Sequence, residues 1–188
     1  MKNIILLALV MIFVMVSCNQ KNKQEEATDS KTMDSETKTE TSNQSSFSIE
    51  EIVNNYLTLK NALVKDDSKG AADAGKAMQE TLKKIDMTKL SGEQMKSYMD
   101  IADDAKEHAE HIGSNGGNIE HQREHFVLLS KDLNDLVKTF GTKRKLYQDF
   151  CPMADNDKGA IWISETKEIK NPYFGAKMPT CGSVQKEF

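Results

Sequence analysis

Two short sulfur-containing clusters near the C-terminus are the residues best suited to chemistry. Each pairs a cysteine with a methionine: Cys151-Pro152-Met153 and Met178-Pro179-Thr180-Cys181. Thiolate and thioether sulfurs are soft donors that suit Cu(I) and related ions. Cys151 and Met153 face the same side of an extended chain, and a single turn brings Met178 beside Cys181. These four side chains are therefore predicted to form a metal site that prefers copper, as Cu(I), over zinc.

The same cysteines also allow a structure without metal. A disulfide between Cys151 and Cys181 would close the tail, with Met153 and Met178 packed against the rest of the domain. Such a bridge contributes roughly 3 to 4 kcal/mol in the loop-entropy account. The residues alone slightly favour this disulfide. The corresponding function is a protein-interaction module whose cap is closed by the bridge.

Histidines form a second group of candidate ligands. The four in the chain are His108, His111, His121 and His125. His121 and His125 are spaced i,i+4, on one helix face, where two imidazoles can share a zinc or copper ion. A helical hairpin would bring His111 to them, so these three are predicted metal ligands, whereas His108 lies at the edge of the core. The alternatives are a zinc site built only from histidines, or polar surface residues beside glutamates.

Helical periodicity organises the chain that must position these groups. Apolar residues recur every three or four positions in four segments, at about 48–65, 68–85, 91–112 and 118–140. Capping boxes are predicted at Ser48 and Ser91, and Asn118 is a favourable N-cap. Short links favour an all-α fold, an antiparallel four-helix up-down bundle. A small hairpin or irregular cap is expected after Gly141, from Leu146–Cys151 and Ala160–Ser164 around a turn.

The first 46 residues have the composition of targeting and linker segments. Residues 1–17 are typical of a signal peptide, and Met15-Val16-Ser17-Cys18 resembles a bacterial lipobox. Cys18 is therefore the predicted lipidation site, with a soluble secreted protein as the alternative. Residues 18–46 are predicted to be a lipidated cysteine and disordered tether, and 47–188 the folded domain. We expect a lipid-anchored protein in the envelope of a Gram-negative bacterium, facing the periplasm or the cell surface.

Two function classes are disfavoured by the sequence. A net charge of −4 argues against nucleic acid as a partner, because nucleic-acid binding requires clustered Lys and Arg. Neither a Ser-His-Asp pattern nor a phosphate-binding glycine loop is present, and the two tail cysteines lack Cys-x-x-Cys spacing. An enzyme is not expected.

Several tail motifs resemble one uncharacterised domain family. They are Tyr147–Met153, Gly159–Ser164, Asn171–Gly175 and Met178–Gly182, and the resemblance extends upstream through Gln122–Phe126 to cover most of residues 48–184. That family occurs as small envelope lipoproteins and at the C-terminal end of periplasmic adaptor subunits of heavy-metal (copper/silver) RND efflux pumps. The resemblance implies metal capture, delivery or efflux, and an efflux component as partner.

The tail clusters also resemble the short heavy-metal-binding domain of such adaptors. That domain carries Tyr-x-Cys-Pro-Met-His and a later Cys-Gly. In this chain Ala154 replaces the histidine, and one cysteine stands where the motif has two. The implied metal function therefore rests on the shared sulfur donors.

Overall fold

A computed structural model describes residues 47–188 of the chain. The predicted signal peptide (1–17), the lipidation site Cys18 and the tether up to residue 46 lie outside the described residues. Within the described part, no helix is both long enough and apolar enough to cross a membrane.

Four long helices make up most of the domain: α1 (Glu50–Val64), α2 (Ser68–Lys84), α3 (Gly92–Ser114) and α4 (Ile119–Phe140). Each predicted segment is confirmed, and the apolar residues of their stripes are largely buried. Consecutive helices pack against each other. The amide of Asn55 in α1 donates to Thr81 in α2, and Tyr98 in α3 donates to the carbonyl of Leu82. The first contact joins the start of α1 to the end of α2, so these two helices run antiparallel, and the second joins the end of α2 to the start of α3.

Two of the three predicted helix starts are confirmed. Ser91 and Gln94 form a reciprocal capping box at α3, and Asn118 accepts from the His121 backbone N–H at α4. The capping box predicted at Ser48 is wrong, because the N-cap residue of α1 is Ile49 and the Ser48 hydroxyl accepts from the Glu50 N–H instead of that of Glu51. The carboxylate of Glu51 accepts from Thr81 on α2 instead of turning back to Ser48.

The cap, residues 142–188, contains a small antiparallel sheet. Its strands are β1 (Tyr147–Cys151), β2 (Ala160–Ser164) and β3 (Ser183–Glu187), in the order β2-β1-β3. The predicted hairpin is confirmed, but the domain is mostly helical with a three-stranded sheet rather than all-α. All five residues of β3 are exposed, so the strand lacks the alternation that reveals a half-buried strand.

The cap lies against α4 and α1. Strand β2 packs on α4 and directs the fully buried Trp162 into the core. Arg123 of α4 donates to the Pro172 carbonyl (2.9 Å) and the Leu63 carbonyl (3.1 Å) and pairs with Asp66 (2.6 Å). A single buried guanidinium thus connects α4, the end of α1 and the tail.

Candidate metal centre

The three predicted histidine ligands meet at the turn between α3 and α4. One side-chain nitrogen from each of His111, His121 and His125 lies within 4.8 Å of the others. His111 is exposed, while His121 and His125 are half-buried. We call these three residues the histidine cluster. Imidazole nitrogen is a common ligand for zinc and copper.

Buried polar contacts hold the hairpin that carries the histidine cluster. Gln122, fully buried, donates to the carbonyls of Ser68 (2.9 Å) and Ile112 (3.1 Å). The hydroxyl of Ser68 in turn accepts from the Gly117 N–H (2.7 Å). Gly117 has a φ of +102°, a conformation that a side chain would strain. The start of α2 therefore fixes where α3 ends and α4 begins.

The three rings lie close together, but their orientations are not those of ligands bound to one metal ion. The ring of His125 lies parallel to that of His111 (4°) with 4.2 Å between centroids, and nearly perpendicular to that of His121 at 4.7 Å. Ligand lone pairs lie in the ring plane, so those of two parallel rings do not converge. Rotation of one ring about χ2 is needed to direct them at one ion.

The electrostatic environment keeps His125 available as a ligand. Burial, and then the neighbouring histidines His111, His121 and His108, lower the pKa of His125 to about 4. The ring is therefore neutral near pH 7, as a metal ligand must be. His121 Nδ1 lies 3.0 Å from a carboxylate oxygen of Glu124. Such a carboxylate partner on one ring nitrogen leaves the other nitrogen free for a metal.

The structure also brings the two tail cysteines together. The Sγ atoms of Cys151 and Cys181 lie 2.7 Å apart, and both are free thiols. We call them the thiol pair. Two thiolates bound at about 2.3 Å to one tetrahedral ion would have their sulfurs about 3.8 Å apart. The pair would thus have to open by about 1 Å to share a metal ion.

The protonation of the thiol pair also disfavours a ready metal site. The hydrogen bond with Cys151, followed by burial, raises the pKa of Cys181 to about 11. Because the thiolate is the form that binds metal and reacts as a nucleophile, Cys181 is a weak ligand and a weak nucleophile near pH 7. Cys151 is fully buried, whereas Cys181 is partly exposed.

The two predicted methionine ligands lie at the surface of the cap. Met153 is 48 % exposed and lines a cavity of about 270 Å³ together with Glu120 and Glu124 of α4. Met178 is partly exposed and directly follows a 3-10 turn, Gly175–Lys177. The cavity shows that the tail reaches the first turns of α4, the helix end that carries the histidine cluster.

Sequence patterns did not reveal two buried acids. Asp132 lies seven residues after His125 in α4, and Asp149 lies on the inward face of β1; each has a buried carboxyl oxygen without a hydrogen-bond partner. Burial raises the pKa of each carboxyl to about 7. The only sequence signal was the seven-residue spacing from His125 to Asp132, which places both on one helix face.

Comparison with known proteins identifies a family but no activity. No curated protein and no solved structure matches the chain. Residues 52–145 match a family described as a protein of unknown function, DUF3347. The match spans half of the chain and contains all of the histidines, while it ends before the thiol pair. The chain therefore belongs to the uncharacterised family DUF3347.

Proposed function

We propose that this protein binds a copper ion through His111, His121 and His125 and acts in metal capture or delivery in the cell envelope. The observation that carries the proposal is the proximity of three imidazole nitrogens, within 4.8 Å of one another, at the turn between α3 and α4. The site is reachable, because His111 is exposed and the other two rings are half-buried.

Three features favour metal binding at this site, and the first of them favours copper. Nitrogen ligands bind Cu²⁺ more tightly than Zn²⁺ in the general order of divalent metal affinities. His125 stays neutral down to a pH of about 4, so protons compete weakly for it. One sulfur donor of the tail lies near this end of α4, since Met153 and Glu124 line one cavity. A sulfur site for Cu(I) in the tail remains a prediction from the sequence.

The wider setting of the site is part of the proposal. The four long helices are proposed to form an antiparallel four-helix up-down bundle, which presents the histidine cluster at one end. Cys18 would anchor the protein by its lipid, and residues up to 46 would act as a tether. The partner would be a component of a heavy-metal efflux system, as the sequence resemblance implies.

A second candidate function is recognition of a partner protein by a disulfide-closed cap. It is favoured by the 2.7 Å separation of the Cys151 and Cys181 sulfurs. An oxidising envelope would favour a disulfide between thiols placed this close. In that function the thiol pair forms a structural disulfide, and no metal is involved.

Copper titration of the purified protein against a competing chelator separates the two functions. We expect one Cu²⁺ per chain, with His121→Gln or His125→Gln lowering the affinity by at least about 100-fold, more than the loss of an outer-shell partner. Cys151→Ser and Cys181→Ser serve as matched controls and should leave the affinity unchanged. Absence of tight copper binding would refute the proposal.

The same titration with other ions tests the choice of metal. Zn²⁺ bound more tightly than Cu²⁺ would make the site a zinc site. Cu⁺, added under reducing conditions, tests the tail: affinity that depends on Cys151 and Met178 rather than on the histidines would move the site to the sulfur clusters.

A further inference from the structure

A second layer of polar side chains lies behind the histidine cluster. His108 on α3 and Asp132 on α4 are both mostly buried, with side chains 17 % and 18 % exposed. Neither belongs to the three-histidine group. They are continuous with it, because Nδ1 of His108 lies 3.3 Å from Nδ1 of His125.

Asp132 lies next to His108, and His108 in turn contacts His125 of the histidine cluster. Oδ2 of Asp132 lies 4.0 Å from Nε2 of His108 and has no hydrogen-bond partner among the described residues. An unpartnered buried carboxyl oxygen is rare in proteins and calls for an explanation. At 4.0 Å the interaction with His108 is electrostatic, not a hydrogen bond. It favours a proton on the nitrogen that faces the carboxylate.

This preference determines which nitrogen of His125 carries its proton. A neutral imidazole has one N–H donor and one acceptor nitrogen. If Nε2 of His108 is protonated, its Nδ1 is an acceptor. The Nδ1 of His125, 3.3 Å away, must then be the donor. The lone pair of His125 is consequently on Nε2, at the opposite side of the ring.

We propose that Asp132, acting through His108, selects the tautomer of His125 whose Nε2 is free to bind metal. Asp132 and His108 are thus positioning residues, and they correspond to the carboxylate–histidine partners that orient ligands in many metal sites. The inference rests on the proposed metal site for its purpose, but the tautomer exists in the metal-free protein and can be observed there.

Other charged groups face this layer. Burial, and then the charges of Asp104 on α3 and Asp135 on α4, raise the pKa of Asp132. The charge of Lys131 opposes this rise. Burial lowers the pKa of His108, Glu107 and Asp104 oppose this change, and His111 adds to it. Protonation of Asp132 would remove the selection, so the tautomers should be measured at about pH 8.5, where a carboxyl with a pKa of about 7 is ionised.

The test is NMR detection of histidine ring nitrogens in the metal-free protein at that pH. We expect the Nε2–H tautomer for His108 and the Nδ1–H tautomer for His125. Asp132→Asn should weaken this preference, and Asp132→Leu, which removes both oxygens at similar size, should abolish it. Asp103→Asn is the matched control, because Asp103 lies on α3 and is exposed; it should leave both tautomers unchanged.

Copper affinity supplies the second readout. Asp132→Leu should lower it about 10- to 100-fold, as for other outer-shell partners, while Asp103→Asn should not. An Nε2–H tautomer of His125 in the wild-type protein, or tautomers unaffected by Asp132→Leu, would overturn the inference. Wild-type protein with the expected tautomers but no copper binding would support the effect of Asp132 on the tautomer of His125. It would refute the proposed metal-binding function instead.

Discussion

The histidine cluster and the thiol pair bring donor atoms together in two different ways. The cluster spans residues 111–125, on two helices joined by a short turn. Cys151 and Cys181 are separated by 30 positions, one on β1 and the other just before β3. Helical periodicity and one turn place the histidines, whereas the thiols depend on strand register and on the packing of the cap. The first arrangement is local, and the second is not.

The two regions also differ in chemistry. The cluster is partly exposed and therefore accessible, and it contains His125, whose pKa is lowered to about 4, so that this ring is neutral near pH 7. The thiol pair is more buried, and the pKa of Cys181 is raised to about 11. The histidine cluster suits the binding of a metal ion, while the thiol pair suits a structural disulfide. The predictions below test whether these roles are separate.

Removal of the link between the two regions should have the largest effect. Arg123 holds Pro172 of the cap and Leu63 of α1 through buried hydrogen bonds, and it pairs with Asp66. Arg123→Met would remove all three contacts, although the Leu63 carbonyl keeps the Asp66 N–H and the Asp66 carboxylate keeps the Ala176 N–H as donors. We expect the free energy of unfolding to fall by about 3 to 5 kcal/mol, because the two buried hydrogen bonds from the charged guanidinium contribute roughly 1.5 to 3 kcal/mol each; urea denaturation measures the loss.

Arg144→Met is the matched control for this change. Arg144 pairs with Glu50 at 2.9 Å, but its side chain is 36 % exposed. A loss of about 1 kcal/mol or less is expected for a pair in contact with water. Equal losses in the two variants would mean that Arg123 does not link the cap to the helices as described.

Oxidation of the thiol pair should have the next largest effect. A disulfide that closes a loop of this length stabilises a protein by about 3 to 4 kcal/mol. In a Cys18→Ser background, which leaves two thiols, mild oxidation should raise the free energy of unfolding by this amount. Urea denaturation with and without reductant measures the gain, and a thiol reagent counts the cysteines.

The redox state of the thiol pair also tests whether the thiols take part in copper binding. Cys151→Ser should abolish the difference between oxidising and reducing conditions. Copper affinity should be the same in both redox states if the histidines alone hold the ion. A large loss of copper affinity on oxidation would show that the thiol pair contributes ligands, contrary to the division of roles.

The same contrast explains what sequence could predict. The positions of His111, His121 and His125 followed from the i,i+4 spacing and the hairpin, which are local properties. Both alternatives for the tail, a shared metal site and a disulfide, bring Cys151 close to Cys181, but the sequence could not decide between them, because strand register and the 2.7 Å contact depend on the whole cap. Strand β3 was missed because its residues are all exposed. Asp132 and Asp149 could not be recognised as buried acids, since burial of a charged residue follows from packing and not from periodicity.

Asp149 should make the stability of the cap depend on pH. Neither of its carboxyl oxygens has a hydrogen-bond partner. Burial raises its pKa from 3.8 to about 7, with Lys60 opposing and Glu165 adding to the rise. The folded protein thus holds this proton more tightly than the unfolded chain. The resulting stabilisation is complete below the unfolded pKa and is lost as the pH rises towards 7.

Asp149→Asn tests this dependence. A tenfold change in proton affinity corresponds to about 1.4 kcal/mol, so the wild type should lose about 3 kcal/mol relative to the variant between pH 5 and pH 8.5. Urea denaturation followed by the fluorescence of the buried Trp162 measures the difference. Asp157→Asn, an exposed acid in the same cap, is the control. Parallel pH profiles of wild type and Asp149→Asn would contradict the assignment.

The smallest expected effect lies at the helical contact behind the histidine cluster. A Cβ on Gly75 of α2 would lie 2.9 Å from both the Ala109 carbonyl oxygen and the Gly113 nitrogen of α3. Gly75→Ala should therefore push the end of α3 away, at a cost of about 1 to 3 kcal/mol for overpacking, less about 1 kcal/mol from better helix propensity. Urea denaturation measures the net loss.

Gly92→Ala provides the control, because a Cβ at Gly92 would meet nothing within 4 Å. The last turn of α3 carries His111, so Gly75→Ala should also weaken copper binding, while Gly92→Ala should not. Stability lost without any change in copper affinity would mean that His111 adjusts independently of the α2–α3 contact. The histidine cluster would then depend on the flexibility of its side chains as much as on the helices that present them.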